Sequence, residues 1–157
     1  MKSLDKKSRK KLIEILKNDY KIECEKLKDK NISLDEENNI YIYNNIPVAF
    51  IKDEKTYPTL FLINDCETNM NYVKINIGAK EKVLNGADVF RPGIIEFSDF
   101  KKDEIILIIS EDDKLLAIGR ALYDSNDAIK MEKGKIIENI HYYGDKITKY
   151  YLNKIKN

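Results

Sequence analysis

The first 77 residues contain no glycine, and all six glycines of the chain (Gly78, Gly86, Gly93, Gly119, Gly134 and Gly144) lie beyond them. Glycine takes positive φ at no steric cost and lets two backbones approach closely. A chain divided in this way is expected to build its first half from elements that side chains tolerate. Its second half is expected to hold tight turns, bulges and close strand contacts. The boundary is expected near residues 68–71, after the polar run Asn64-Asp65-Cys66-Glu67-Thr68-Asn69. This divides the chain into modules of residues 1–70 and 71–157.

The first module opens with a helix over residues 4–18, with Leu12, Ile15 and Leu16 on one face and Ser3 as its N-cap. A strand is expected over residues 22–27. Ile40-Tyr41-Ile42-Tyr43 and Val48-Ala49-Phe50-Ile51 flank Asn44-Asn45, the pattern of a hairpin whose turn needs positive φ. Pro47 places the second arm at or near a sheet edge, and residues 57–63 form a further apolar element.

The second module reads mainly as β. Val73, Ile75 and Ile77 alternate with Lys74 and Asn76. A short helix over residues 79–85 is expected to stop at Gly86. Arg91-Pro92-Gly93-Ile94 has the residues of a type II turn. Residues 104–109 and 115–122 read as strands joined by the acidic turn Glu111-Asp112-Asp113. A short helix capped by Ser125 and a last strand over residues 135–141 follow. Short, closely spaced strands point to a small barrel.

Lys and Arg total 28 against 27 Asp and Glu, a formal net charge of +1. Binding by bulk positive charge is excluded, so any nucleic-acid site must be a local patch. One histidine and two cysteines leave no ligand set for an ordinary zinc site. No glycine-rich nucleotide loop or Ser-His-Asp set stands out. No apolar run reaches the roughly 18 residues of a membrane span, and the charged N-terminus does not read as a secretory leader. Cys24 and Cys66 fit a reducing, cytoplasmic setting as small core fillers rather than as a disulfide.

The run from Gly78 to Ile94 (GAKEKVLNGADVFRPGI) resembles the signature of the PUA domain. It has a first Gly-Ala, a short helix, a second Gly-Ala, and a glycine that ends the next element. Leu116-Ala117-Ile118-Gly119-Arg120-Ala121 and the closing Gly134-Lys135-Ile136-Ile137-Glu138-Asn139-Ile140-His141-Tyr142 fit the same pattern. With Tyr57-Pro58-Thr59-Leu60 upstream, the chain resembles the malignant T-cell-amplified-sequence/ligatin family, whose archaeal members are stand-alone proteins.

The resemblance implies an α+β fold in which a small N-terminal α/β pre-PUA module (1–70) precedes a PUA pseudo-β-barrel (71–157). It also implies a non-enzymatic, cytoplasmic RNA-binding protein without cofactor or metal. Such a protein associates with ribosomal RNA or tRNA in translation initiation or recycling, with the small ribosomal subunit and a translation-factor partner as its company. The alternative is a protein-interaction scaffold, or an accessory factor for RNA modification or ribosome biogenesis.

Candidate RNA contacts are Arg91 and Arg120 first, because guanidinium pairs with phosphate or stacks on bases. Lys74, Lys80, Lys82 and Asn85 follow, with Gly78 and Gly86 allowing close backbone approach. Asp88 is expected to be a turn hydrogen-bonder, and His141 a packed residue. The N-terminal run of Lys2, Lys6, Lys7, Arg9, Lys10 and Lys11 reads equally as a solvated helix face or as a contact for RNA phosphates.

Overall fold

The computed structural model describes residues 1–28 and 31–156, with side chains described outside residues 154–156. The chain divides into two compact units. The first takes in Met1–Asn69 together with the residues from Lys149 onward, and the second is Met70–Thr148.

In the first unit a short strand β1 (Lys2–Ser3) leads into helix α1 (Lys6–Tyr20). Asp5, not Ser3, is the N-cap: its Oδ1 accepts the Ser8 N–H at 2.7 Å. Leu12, Leu16 and Tyr20 recur every four residues and are buried. β2 (Ile22–Glu23) is shorter than expected and precedes a 3-10 turn at Glu25–Leu27. β3 (Ile32–Asp35), β4 (Ile40–Tyr43), β5 (Ile46–Lys52) and β6 (Lys55–Pro58) follow. Helix α2 (Leu60–Asp65) and β7 (Glu67–Thr68) come next. The sheet is antiparallel in the order β1-β3-β4-β5-β6, with β2 and β7 as a separate ribbon.

The hairpin turn sits where the asparagines put it, with φ of 51° at Asn44 and 63° at Asn45. Pro47, however, lies in an interior strand. A register shift between β4 and β5 falls at Ile42 and Pro47, and such an irregularity accommodates a residue without an N–H.

The cysteines correct the expectation of separate thiols. The β2–β7 register pairs Ile22 with Thr68 and Glu23 with Glu67. This sets Cys24 opposite Cys66, and the two form a disulfide with Cα atoms 5.1 Å apart.

The second unit begins with β8 (Tyr72–Ile75), helix α3 (Ile77–Val83) and β9 (Val89–Phe90). β10 (Ile94–Phe97), β11 (Ile105–Ser110) and β12 (Leu115–Ala121) follow. The short helix α4 (Ser125–Ala128), β13 (Lys135–Tyr142) and the start of helix α5 (Lys146–Lys156) complete it. The sheet order is β10-β8-β11-β12-β13-β9, antiparallel except for β8 with β11. Its two edge strands, β9 and β10, are consecutive in the chain, joined only by Arg91–Gly93, so the sheet curls into a nearly closed barrel. Val73, Ile75, Phe100, Ile106, Ile108, Ile136 and Ile137 fill it.

Gly119 is demanded by this closure. A Cβ there would stand 2.5 Å from Ile137 Cγ2 and 2.6 Å from the Glu138 carbonyl oxygen. The Arg91–Gly93 link is a 3-10 turn rather than a type II turn, and Gly93 does not take positive φ. Its reason is proximity, since a Cβ would lie 3.0 Å from Ala79 Cβ. Ser125 does not cap its helix. It is buried, and its Oγ accepts the Phe100 N–H at 3.1 Å. The residues after 148 depart from the 71–157 expectation by grouping with the first unit. There the Tyr150 hydroxyl donates to Asp35 at 2.8 Å and the Tyr151 ring meets Phe61 at 4.5 Å.

Candidate nucleic-acid interface

Asn76 fixes the start of α3 in two ways. Its side chain accepts the Ala79 N–H at 2.9 Å, and its own N–H donates to the Gly93 carbonyl at 2.9 Å. The second bond pulls the Arg91–Gly93 turn against the helix. Between them lies a groove of about 420 Å³ lined by Asn76, Gly78, Ala79, Lys82, Asp88, Phe90 and Pro92. Asp88 is held in place by the Asn139 N–H at 2.8 Å and the Lys135 ammonium at 3.0 Å. Phe90 is 51% exposed on the edge strand β9, an aromatic face available for stacking. The Lys82 side chain is exposed and makes no ion pair among the described residues.

Gly78 is at this groove without being required by the fold. It has no positive φ, and a Cβ would meet only Asn76 Oδ1 at 3.5 Å, an ordinary contact. Neighbouring amides are already engaged: Ile77 N–H donates to Glu111 at 3.1 Å and Lys80 N–H to the Asn76 carbonyl at 3.2 Å. Gly86 differs. With φ of 95°, it ends the helix turn, and a Cβ would press on the Tyr142 ring, 3.0 Å from its hydroxyl. Asn85, two turns along, donates to the Glu81 carbonyl at 2.9 Å.

Most of the other candidate cations are committed to partners within the chain. Lys74 pairs with Asp113 at 2.7 Å, and that hydrogen bond raises the ammonium above its usual range. Lys80 reaches Asp112 at 3.4 Å. The Ser110 hydroxyl, opposed by some desolvation and helped by Lys80, holds the Asp112 carboxyl below its usual range. Arg120 bridges Asp103 at 2.6 Å and Glu138 at 3.5 Å. It pairs with Ile105 whereas Lys74 pairs with Ile109, so the two sit roughly 13 Å apart along the strand direction.

Arg91 is turned inward. Its two terminal nitrogens donate to the carbonyls of Ile94 at 3.2 Å and Ile129 at 3.3 Å, and its guanidinium lies 4.9 Å from the Phe97 ring centre. It staples the turn to α4. The structure thus brings together Gly78 and Lys82, places Lys74 and Lys80 against an acidic turn, and gives both arginines intramolecular partners. Sequence reasoning missed Phe90. The available signal was Val89 directed into the core with a large apolar neighbour necessarily facing out.

The sole histidine, His141, is fully buried with Nδ1 2.6 Å from Asp145 Oδ2. Among the described residues no group of three or more His, Cys, Asp or Glu is placed to hold a metal. None of the described helices is long and apolar enough to cross a membrane.

Residues 71–143 match the PUA domain family model, and residues 3–65 match a domain of unknown function, DUF1947. An uncharacterized protein of Methanocaldococcus jannaschii is 35% identical over 121 residues, 76% of this chain and 75% of that protein. Translation machinery-associated protein 20 of Schizosaccharomyces pombe is 29% identical over 64% of this chain and 59% of its own length. Malignant T-cell-amplified sequence 1-A of Xenopus laevis is 31% identical over 57% of this chain and 52% of its own length. A conserved PUA domain protein from Thermoplasma acidophilum superposes with a TM-score of 0.83 at 25% identity, covering 96% of this chain and 98% of that one.

Proposed function

The chain belongs to the PUA-domain proteins of the malignant T-cell-amplified-sequence/ligatin family, and we propose that it is a non-enzymatic RNA-binding protein acting in cytoplasmic translation, in initiation or recycling. Its ligand is structured RNA, ribosomal or tRNA, received in the groove between α3 and the Arg91–Gly93 turn. The small ribosomal subunit and a translation factor are its partners. The names of its yeast and frog relatives support the link to translation.

One observation carries the assignment of the groove. A glycine that the fold does not need, Gly78, opens it beside Lys82, whose ammonium has no ion pair among the described residues, and an exposed ring, Phe90. The ammonium supplies a phosphate contact and the ring a stacking face, the two means by which single nucleotides are held without reading a duplex.

Gly78→Leu tests it. Leucine is a better helix former than glycine, so the fold should hold while the side chain enters the groove. Affinity for tRNA or a small-subunit RNA fragment, read by fluorescence anisotropy, should fall at least about tenfold, ~1.4 kcal/mol. Unchanged affinity for both RNAs in a folded variant contradicts the assignment.

A further inference from the structure

Helix α1 (Lys6–Tyr20) carries six cationic side chains against Glu14 and Asp19, in a chain whose formal net charge is +1. Lys6, Arg9, Lys10, Ile13, Glu14 and Lys17 line a shallow groove of about 390 Å³ on its flank. In the second unit the candidate cations Lys74, Lys80 and Arg120 are paired with carboxylates. Among the described residues Lys6, Arg9 and Lys10 have no such partner. Lys17 has only a loose pair with Glu23 at 3.7 Å between exposed side chains. With four cations and one carboxylate, Glu14, along it, the flank keeps a net positive charge whose self-repulsion a polyanion would relieve.

We propose that this flank of α1 is a second RNA-binding surface, which takes the phosphate backbone of a duplex without reading its sequence. The row from Lys6 to Lys17 spans about 16 Å, a length over which a nucleic-acid duplex presents roughly ten phosphate charges. The apolar residues of the helix, Leu12, Leu16 and Tyr20, are each at most 3% exposed in the unit core. No apolar face is therefore left to enter a lipid surface. Among the described residues Ile13, half-buried, is the only apolar side chain lining the groove, too little to anchor a folded or helical peptide partner. What remains is a cationic surface suited to phosphates, with half-buried Arg9 able to grip one through two N–H groups.

The surface lies in the first unit and the groove at Gly78 in the second, and its test reads salt dependence rather than loss of binding alone. The full chain and the triple variant Lys6→Ala, Arg9→Ala, Lys10→Ala are compared on a mixed-sequence RNA duplex of roughly 20 base pairs, between about 50 and about 200 mM salt. Alanine keeps the helix, and circular dichroism checks that it does. Three phosphate contacts contribute a slope of roughly 2.7 in log K against log salt. The wild type should therefore lose about 40-fold more affinity than the variant over that range.

Gly78→Leu should leave the duplex slope of the wild type unchanged, so failure of either site is seen separately. A slope difference below about one, or no duplex binding by the wild type, overturns the proposal. So does a triple variant that keeps duplex binding but loses binding to polyglutamate, which would assign the surface to an acidic protein.

Discussion

Replacing Arg91 with alanine should act on stability before it acts on RNA. The guanidinium donates to two backbone carbonyls, Ile94 and Ile129, and stands over the Phe97 ring. A hydrogen bond to a charged group is worth about 1.5–3 kcal/mol, but the bond to Ile129 is exposed to water and adds little. The contact with the ring adds about 0.5–1 kcal/mol. Together these give a loss of roughly 2–4 kcal/mol for the second unit. Arg91→Lys should recover less than half, because a single ammonium does not span two carbonyls as the planar fork does. Urea unfolding of the full chain measures the loss as a shift of midpoint at constant slope, and anisotropy on tRNA measures affinity under native conditions. The reasoning is refuted if Arg91→Ala unfolds at the wild-type midpoint while RNA affinity drops tenfold or more, for then the guanidinium would be facing the ligand.

Three further outcomes are expected. Gly119→Ala should destabilise by about 3 kcal/mol or more by overpacking, because one of its clashes is with the Glu138 backbone and no rotamer relieves it; thermal unfolding followed by near-UV circular dichroism reads this. Reduction of Cys24–Cys66, which closes a loop with a sequence separation of 42, should cost the first unit up to about 4 kcal/mol, measured as the difference in urea midpoint with and without reductant and absent in a Cys24→Ser variant. The Asp145 carboxyl is pushed up by burial, but His141 and the N–H groups of Thr148 and Tyr142 more than offset this and hold it below 3.8. Its stabilisation is thus present above that pH and is lost as pH falls through the lowered folded value, so Asp145→Asn should flatten the acid limb of a stability-against-pH curve.

Much of the architecture could be read from residue order. The i, i+4 spacing of Leu12 and Leu16 located α1, Asn44-Asn45 located a turn that needs positive φ, and the crowding of glycines after residue 77 located the barrel. The misses have local causes. Residues 60–63 are a short apolar run, which periodicity alone does not divide between strand and helix; the Thr59 side chain, accepting the Leu62 N–H at 3.2 Å, decides for α2. Helix α5 starts because Asp145 Oδ1 accepts the N–H groups of Ile147 at 3.0 Å and Thr148 at 3.1 Å, in a segment rich in tyrosine and β-branched residues. The disulfide depends on a ribbon of two dipeptides, too short to leave a pattern.

At the candidate site, the glycines pointed to α3 and the turn packed against it, but the partners of Arg120 and Lys80 are set at long range. Arg120 meets Asp103 and Glu138, 17 and 18 residues away, and Lys80 meets Asp112 across 32 residues. Sequence separations of that size are bridged only by the strand register. A composition-level argument therefore ranked the arginines above Lys82 and Phe90.

The most direct test is a two-dimensional amide NMR titration of the full chain with tRNA. Resonances of Gly78, Lys82 and Phe90 should move first and saturate together at the affinity measured by anisotropy, while amides around Arg120 and Asp103 stay in place. Shifts concentrated at Arg120 and Asp103, with Gly78, Lys82 and Phe90 unmoved at saturation, would contradict the placement of RNA in the groove.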